Sequence, residues 1–167
     1  MIFQQLFDEK SSTYTYVISS GEGREALIID PVIEHTEKYI KILENLKLKL
    51  VKVIDTHIHA DHITALNELN KRTNCARVMG ENSKSEVIDL KIKDDEKVKI
   101  ENIELKAMYT PGHTDCSYSY LMNDRVFTGD TLLINGTGRT DFQNGSSYDA
   151  YESLFNKLLK LPEKTLV

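Results

Sequence analysis

Residues 48–62 read LKLVKVIDTHIHADH. The first eight are a short apolar, β-branched run of the length expected for a buried strand. Where that run ends, three of the chain's five histidines, His57, His59 and His62, fall within six positions, beside Asp55 and Asp61. If extended backbone persists past Asp55, His57 and His59 project to one side, because side chains alternate along a strand. Asp61 and His62 then follow at a turn. A single histidine near a surface needs only hydrogen bonds. Three with an aspartate at this spacing point instead to a metal or catalytic centre, with zinc, iron or manganese as suitable ions.

Outward from this stretch the patterning alternates between strands and helices. MIFQQLF (1–7), STYTYVIS (12–19) and REALIID (24–30) read as strands, the last two joined by the turn residues of SSGEGRE, and Pro31 closes the third. Tyr39, Ile40, Ile42 and Leu43 then mark one face of a helix. After the histidines, HITALNELNKRT (62–73) predicts a helix with Ile63, Leu66 and Leu69 on one side. ARVMG (76–80) reads as a short strand and SKSEVIDL (83–90) as a weak helix. Two hairpins follow, turning at Glu101-Asn102 and at Asn123-Asp124, where the turn chemistry is stronger. SSYDAYESLFNKLLKL (146–161) predicts an amphipathic helix whose apolar face includes Tyr151, Leu154, Leu158 and Leu159. TLV (165–167) starts another strand, and a chain stopping there is expected to be a C-terminally incomplete domain.

Hairpins separated by helices that must cover sheet faces predict stacked sheets with helices outside. The fold class is therefore α+β (mixed α/β) in one domain over 1–167, not a doubly wound parallel fold. A formal charge of −5 leaves no basic surface to track phosphates, which argues against nucleic-acid binding. The N-terminus MIFQQLFDEK lacks a secretory pattern, and no stretch approaches the ~20 apolar residues that span a bilayer. The two cysteines, Cys75 and Cys116, form no C-x-x-C and are expected to be buried, reduced thiols in a cytoplasmic protein with no membrane partner. His35, at the start of a polar helix, is expected to be solvated, and the tyrosines of STYTY to pack in the sheet.

Two further candidates stand at the ends of strand patterns. His113 lies in YTPGHTD, where Pro111 and Gly112 force a tight turn that aims the imidazole. Asp130 lies in FTGDTLL, just after Val126-Phe127. An acid there is costly unless paired or bound to a cation, with a helix N-cap or turn role as the plainer alternative.

THIHADH, TPGHT and FTGD, in this order, resemble the metallo-β-lactamase superfamily over nearly the whole chain. The resemblance implies an αββα sandwich with its metal site at one edge of the two sheets. Its full pattern offers a first site at His57, His59 and His113. A second would take Asp61, His62 and a late histidine, with Asp130 as bridge; no histidine follows His113 here. GTGRTDFQNG (136–145), with STYTY, HADHITA and IDPV, is similar to the glutathione persulfide dioxygenases, and Thr137 stands where that family often has cysteine. This implies oxidation of glutathione persulfide by O2 and water to glutathione and sulfite, with one Fe(2+) per chain held by His57, His113 and Asp130. Two histidines and one carboxylate leave open positions of the kind non-haem iron chemistry uses. His59, Asp61 and His62 then shape the catalytic pocket around the ion, and Arg139 contacts a glutathione carboxylate. The alternatives are a zinc hydroxyacylglutathione hydrolase of the glyoxalase II kind, with Zn(2+) as its ion, and a metal-binding scaffold without activity. A homodimer is left open.

Overall fold

The computed structural model describes residues 1–167. Ten strands form two sheets. The first holds β1 (Ile2–Asp8), β2 (Thr13–Ser19), β3 (Glu25–Ile29), β4 (Lys49–Ile54), β5 (Ala76–Gly80) and β6 (Leu90–Ile92), in the order β1-β2-β3-β4-β5-β6. The second holds β7 (Lys97–Ile100), β8 (Ile103–Tyr109), β9 (Tyr118–Leu121) and β10 (Val126–Phe127), in the order β10-β9-β8-β7. Helices are α1 (Thr36–Asn45), α2 (Leu66–Thr73) and α3 (Ser147–Glu152).

The three hairpins expected from turn chemistry, β2–β3, β7–β8 and β9–β10, pair antiparallel, and so do β1–β2 and β8–β9. From β3 onward the first sheet is parallel, with α1 and α2 as the crossovers into β4 and β5. A parallel strand covered on both faces reads as a continuous apolar run, and β3 shows why. Leu27 and Ile29 face the second sheet, packing with Ile18, Ile54, Leu105, Tyr120 and Phe127. Ala26 and Ile28 face the helices, packing with Tyr39 and Leu43 of α1 and Leu66 and Leu69 of α2. Two apolar layers thus share one strand, and removing Leu27 from between them costs about 2–5 kcal/mol as Leu→Ala.

α3 lies against the second sheet. The Ser153 hydroxyl donates to the Pro111 carbonyl at 2.6 Å, and Lys157 Nζ donates to the Tyr109 carbonyl at 2.6 Å. The layers are therefore helix, sheet, sheet, helix, the αββα sandwich expected.

Several local readings are corrected. β4 ends at Ile54, so His57 and His59 stand on a loop, not on extended strand. α2 begins only at Leu66, and Ile63 is exposed rather than on the apolar face. Residues 83–89 form no helix; they are irregular chain leading into β6, with Val87 exposed. The C-terminal helix is regular only over Ser147–Glu152, then widens to a π-helical turn at Ser153–Lys157 and tightens to a 3-10 turn at Leu158–Lys160. That change of pitch rotates the apolar face: Leu158 is buried, while Tyr151 and Leu159 stay exposed. TLV makes a single parallel bridge, Arg125 to Leu166, beside β10. His35 is not free in solvent, since its Nε2 lies 2.8 Å from Asp8 Oδ1.

Candidate metal centre

Three chain segments meet at one end of the sandwich. The loop after β4 carries His57, His59, Asp61 and His62; the turn after β8 carries His113; a short turn after β10 carries Asp130. Glycines allow the approach at two places. A Cβ at Gly112 (φ +143°) would lie 2.4 Å from Ala150 Cα, so the turn before His113 sits directly on α3. A Cβ at Gly129 (φ +50°) would lie 2.3 Å from Thr56 Oγ1, so only glycine lets the Asp130 turn press on the histidine loop.

The predicted residues fall into two groups. In the first, one ligand atom each from His57, His113 and Asp130 lie within 4.8 Å of one another. His59, Asp61 and His62 form the second on the same criterion. The imidazoles are packed together, with centroids 4.1 Å apart for His57–His59, 5.0 Å for His57–His113 and 4.3 Å for His59–His62.

Hydrogen bonds orient the rings. His57 Nδ1 lies 2.9 Å from Thr56 Oγ1, whose hydroxyl donates to Asp30 Oδ2 at 2.9 Å. His113 Nδ1 donates to the Arg139 carbonyl at 2.8 Å, leaving Nε2 facing Asp130 Oδ2 at 3.5 Å. His59 Nε2 donates to Asp30 Oδ1 at 3.2 Å. Such outer bonds fix ring orientation and tautomer in metal sites.

Asp30 is the residue that sequence reasoning missed. It is buried, forms a third group with Asp55 and His59, and also accepts the Thr56 amide at 2.7 Å. The signal was present in IDP: an acid ending a buried strand, the same cue that singled out Asp130.

Burial, reinforced by the charge of His59, drives the His57 pKa well below the usual imidazole value, so the ring is neutral and its lone pair free. Burial also opposes a charge on His59, but the Asp30 hydrogen bond and charge outweigh it and raise its pKa to about 9. Burial pushes Asp130 up, and Asp55 up to about 8. The neutral His57 ring, with the His113 imidazole and the Asp130 carboxyl beside it, is a donor set that fits a divalent cation. One further feature points the same way: Nε2 of the buried His62 side chain has no hydrogen-bond partner.

Arg139 reaches the centre through its carbonyl. Its exposed guanidinium is held by Asp141, Nε to Oδ1 at 2.7 Å and Nη2 to Oδ2 at 2.9 Å. Beside His59 and Asp130 opens a cavity of about 460 Å³, bordered by Phe7, Tyr14, Tyr16, Leu132 and Ile134 and lined by no lysine or arginine. Tyr16 therefore borders the pocket as well as packing on Phe3 and Phe127. Cys75 and Cys116 are buried and unbridged.

The class defined by this fold and site is an αββα sandwich with a histidine–aspartate centre at one end of its sheets. The chain belongs to the metallo-beta-lactamase superfamily, whose sequence pattern matches residues 9–89 and 80–167. It is 38% identical to "Persulfide dioxygenase ETHE1, mitochondrial" of Mus musculus over 170 residues, covering all of this chain and 66% of that protein. The crystal structure of ETHE1 from Myxococcus xanthus superposes with a TM-score of 0.95 at 46% identity, covering 98% of this chain and 72% of that one. "Hydroxyacylglutathione hydrolase" of Dictyostelium discoideum is 32% identical over 164 residues, 92% of this chain and 60% of that protein. The chain thus spans just under two thirds of the length of these curated relatives. No helix is long and apolar enough to cross a membrane.

Proposed function

We propose that residues 1–167 act as one domain of an iron-dependent persulfide dioxygenase, which converts glutathione persulfide, O2 and water to glutathione and sulfite. The observation that carries the reading is the His57–His113–Asp130 group, two imidazoles and one carboxylate, in a chain 38% identical to a protein named persulfide dioxygenase. His57, His113 and Asp130 would hold a ferrous ion, which would supply open positions for oxygen and a persulfide sulfur. The chain's own residues do the rest. The Arg139 carbonyl and Thr56 hydroxyl hold His113 and His57 with Nε2 turned inward. His59, tied to Asp30, and Asp61 set the polarity of the adjoining wall. Arg139 exchanges Asp141 for a glutathione carboxylate, a swap of one bidentate pair for another. A reducing cytoplasmic setting belongs to the proposal, since both cysteines are free.

A second reading has an observation of its own. The His59–Asp61–His62 group offers donors for another cation, and the similarity to a hydroxyacylglutathione hydrolase fits a zinc thioester hydrolase. Metal analysis with oxygen uptake on glutathione persulfide separates the two. Iron with oxygen uptake supports the dioxygenase; zinc with thioester cleavage supports the hydrolase.

A further inference from the structure

One loop touches all three segments of the centre while giving it no side-chain ligand. Residues 136–146 run from beyond the Asp130 turn to the start of α3. The Gly138 amide donates to the Asp130 carbonyl at 2.8 Å. The Arg139 carbonyl accepts the His113 Nδ1 bond. Further on, the Ser146 amide donates to the Gly112 carbonyl at 2.8 Å, and Asn144 Nδ2 donates to Asp115 Oδ2 at 3.1 Å, one contact on each side of His113. The third segment is reached by one bond: Gln143 Nε2 donates to the Ile58 carbonyl at 3.0 Å. Ile58 is the residue between His57 and His59. No other carbonyl of residues 57–62 accepts a hydrogen bond from the protein.

Turn chemistry disfavours a glutamine at this place. The Gly145 amide donates to the Phe142 carbonyl at 2.7 Å, and the two residues between them, Gln143 (φ +46°) and Asn144 (φ +58°), both hold positive φ. Those are the φ signs of a type I′ turn, which favours Gly, Asn and Asp at its central positions. Asn144 fits that preference and Gln143 does not. An asparagine at 143 would suit the backbone better, but its amide ends one methylene earlier, short of the carbonyl that glutamine meets. The residue present is a poor turn former with the right reach.

We propose that Gln143 is a positioning residue: its side-chain amide pins the peptide between His57 and His59, and through the loop it shares with Arg139 it holds those rings in fixed register with His113. The role rests on His57 and His113 serving as metal ligands, and it is the same for the dioxygenase and the hydrolase reading.

The test is Co(II) titration of the metal-free full chain, followed by visible absorption, with the thermal midpoint of the metal-free chain measured alongside. Gln143→Asn keeps an amide, improves the turn and loses the reach. It should melt no lower than the parent, yet bind Co(II) about fivefold more weakly, the fold-change equivalent to one hydrogen bond, with a shifted Co(II) band. Gln143→Met keeps the length, drops the N–H and should lose as much affinity. Unchanged affinity and band in either variant overturns the inference. So does an affinity loss that only follows a lower midpoint, since that is an effect on stability and not on register. A parent chain that holds no Co(II) overturns the ligand assignment itself, and the role of Gln143 with it.

Discussion

Gly112→Ala probes how the fold holds His113. The new Cβ would stand 2.4 Å from Ala150 Cα, 2.5 Å from Ala150 N and 2.6 Å from Ala150 Cβ. Carbon contacts are optimal at about 3.5–4.0 Å, so α3 or the turn must shift by roughly 1 Å. Overpacking of this kind costs about 1–3 kcal/mol. Holding an L-residue at φ +143° costs about 1–3 kcal/mol more. The sum is about 4 kcal/mol, which at roughly 2 kcal/mol per molar moves a urea midpoint by about 2 M. Because the turn carries His113, bound metal should fall along with stability, read by mass spectrometry of the same sample. Adding Ala150→Gly removes one of the three contacts and should recover part of the midpoint. A Gly112→Ala protein with wild-type midpoint and metal content would refute the reasoning, since the turn would then not depend on contact with α3.

Other expectations follow from the centre. His57→Ala should abolish iron binding while His62→Ala keeps much of it, measured as iron per chain after desalting; equal loss contradicts the assignment of the ion to His57, His113 and Asp130. Burial raises Asp55 from the usual 3.8 to about 8, so between those values the folded chain holds a proton that the unfolded chain has released. The contribution of Asp55 to stability should therefore decline as pH rises from about 4 to about 8 and level off above. Asp55→Asn should flatten that slope and melt higher than wild type at pH 8, with the gap closing toward pH 4; a steeper slope in the variant would count against it. Arg139→Gln should raise KM for glutathione persulfide about tenfold, the loss of a charge-assisted pair, with little change in kcat. An unchanged KM would remove Arg139 from the substrate site.

Much of this architecture is legible in the chain. Alternation marks β2, the turn pairs Glu101-Asn102 and Asn123-Asp124 mark two hairpins, and Leu27 and Ile29 against Ala26 and Ile28 mark a strand buried on both faces. The histidine spacing and the strand-end acids picked out residues that the fold does bring together in two groups. What periodicity could not show was set by tertiary contact. Ile63 lies on an exposed loop because α2 starts only after Thr64 has bonded Asp55 at 3.0 Å. The pitch change at Ser153–Lys157 goes with Ser153 and Lys157 bonding carbonyls at Pro111 and Tyr109. The one histidine near Asp30 in sequence, His35, pairs with Asp8 instead; only the meeting of β3 and β4 sets Asp30 beside Thr56 and His59. His35 found Asp8 in the same way, across 27 residues of chain.

The central claim is that His57, His113 and Asp130 hold one iron for persulfide oxidation. Its most direct test is the metal content of the purified chain together with oxygen uptake on adding glutathione persulfide. The account predicts about one iron per chain and oxygen consumed with sulfite formed. Zinc in place of iron, with no oxygen uptake and cleavage of a glutathione thioester, would contradict it.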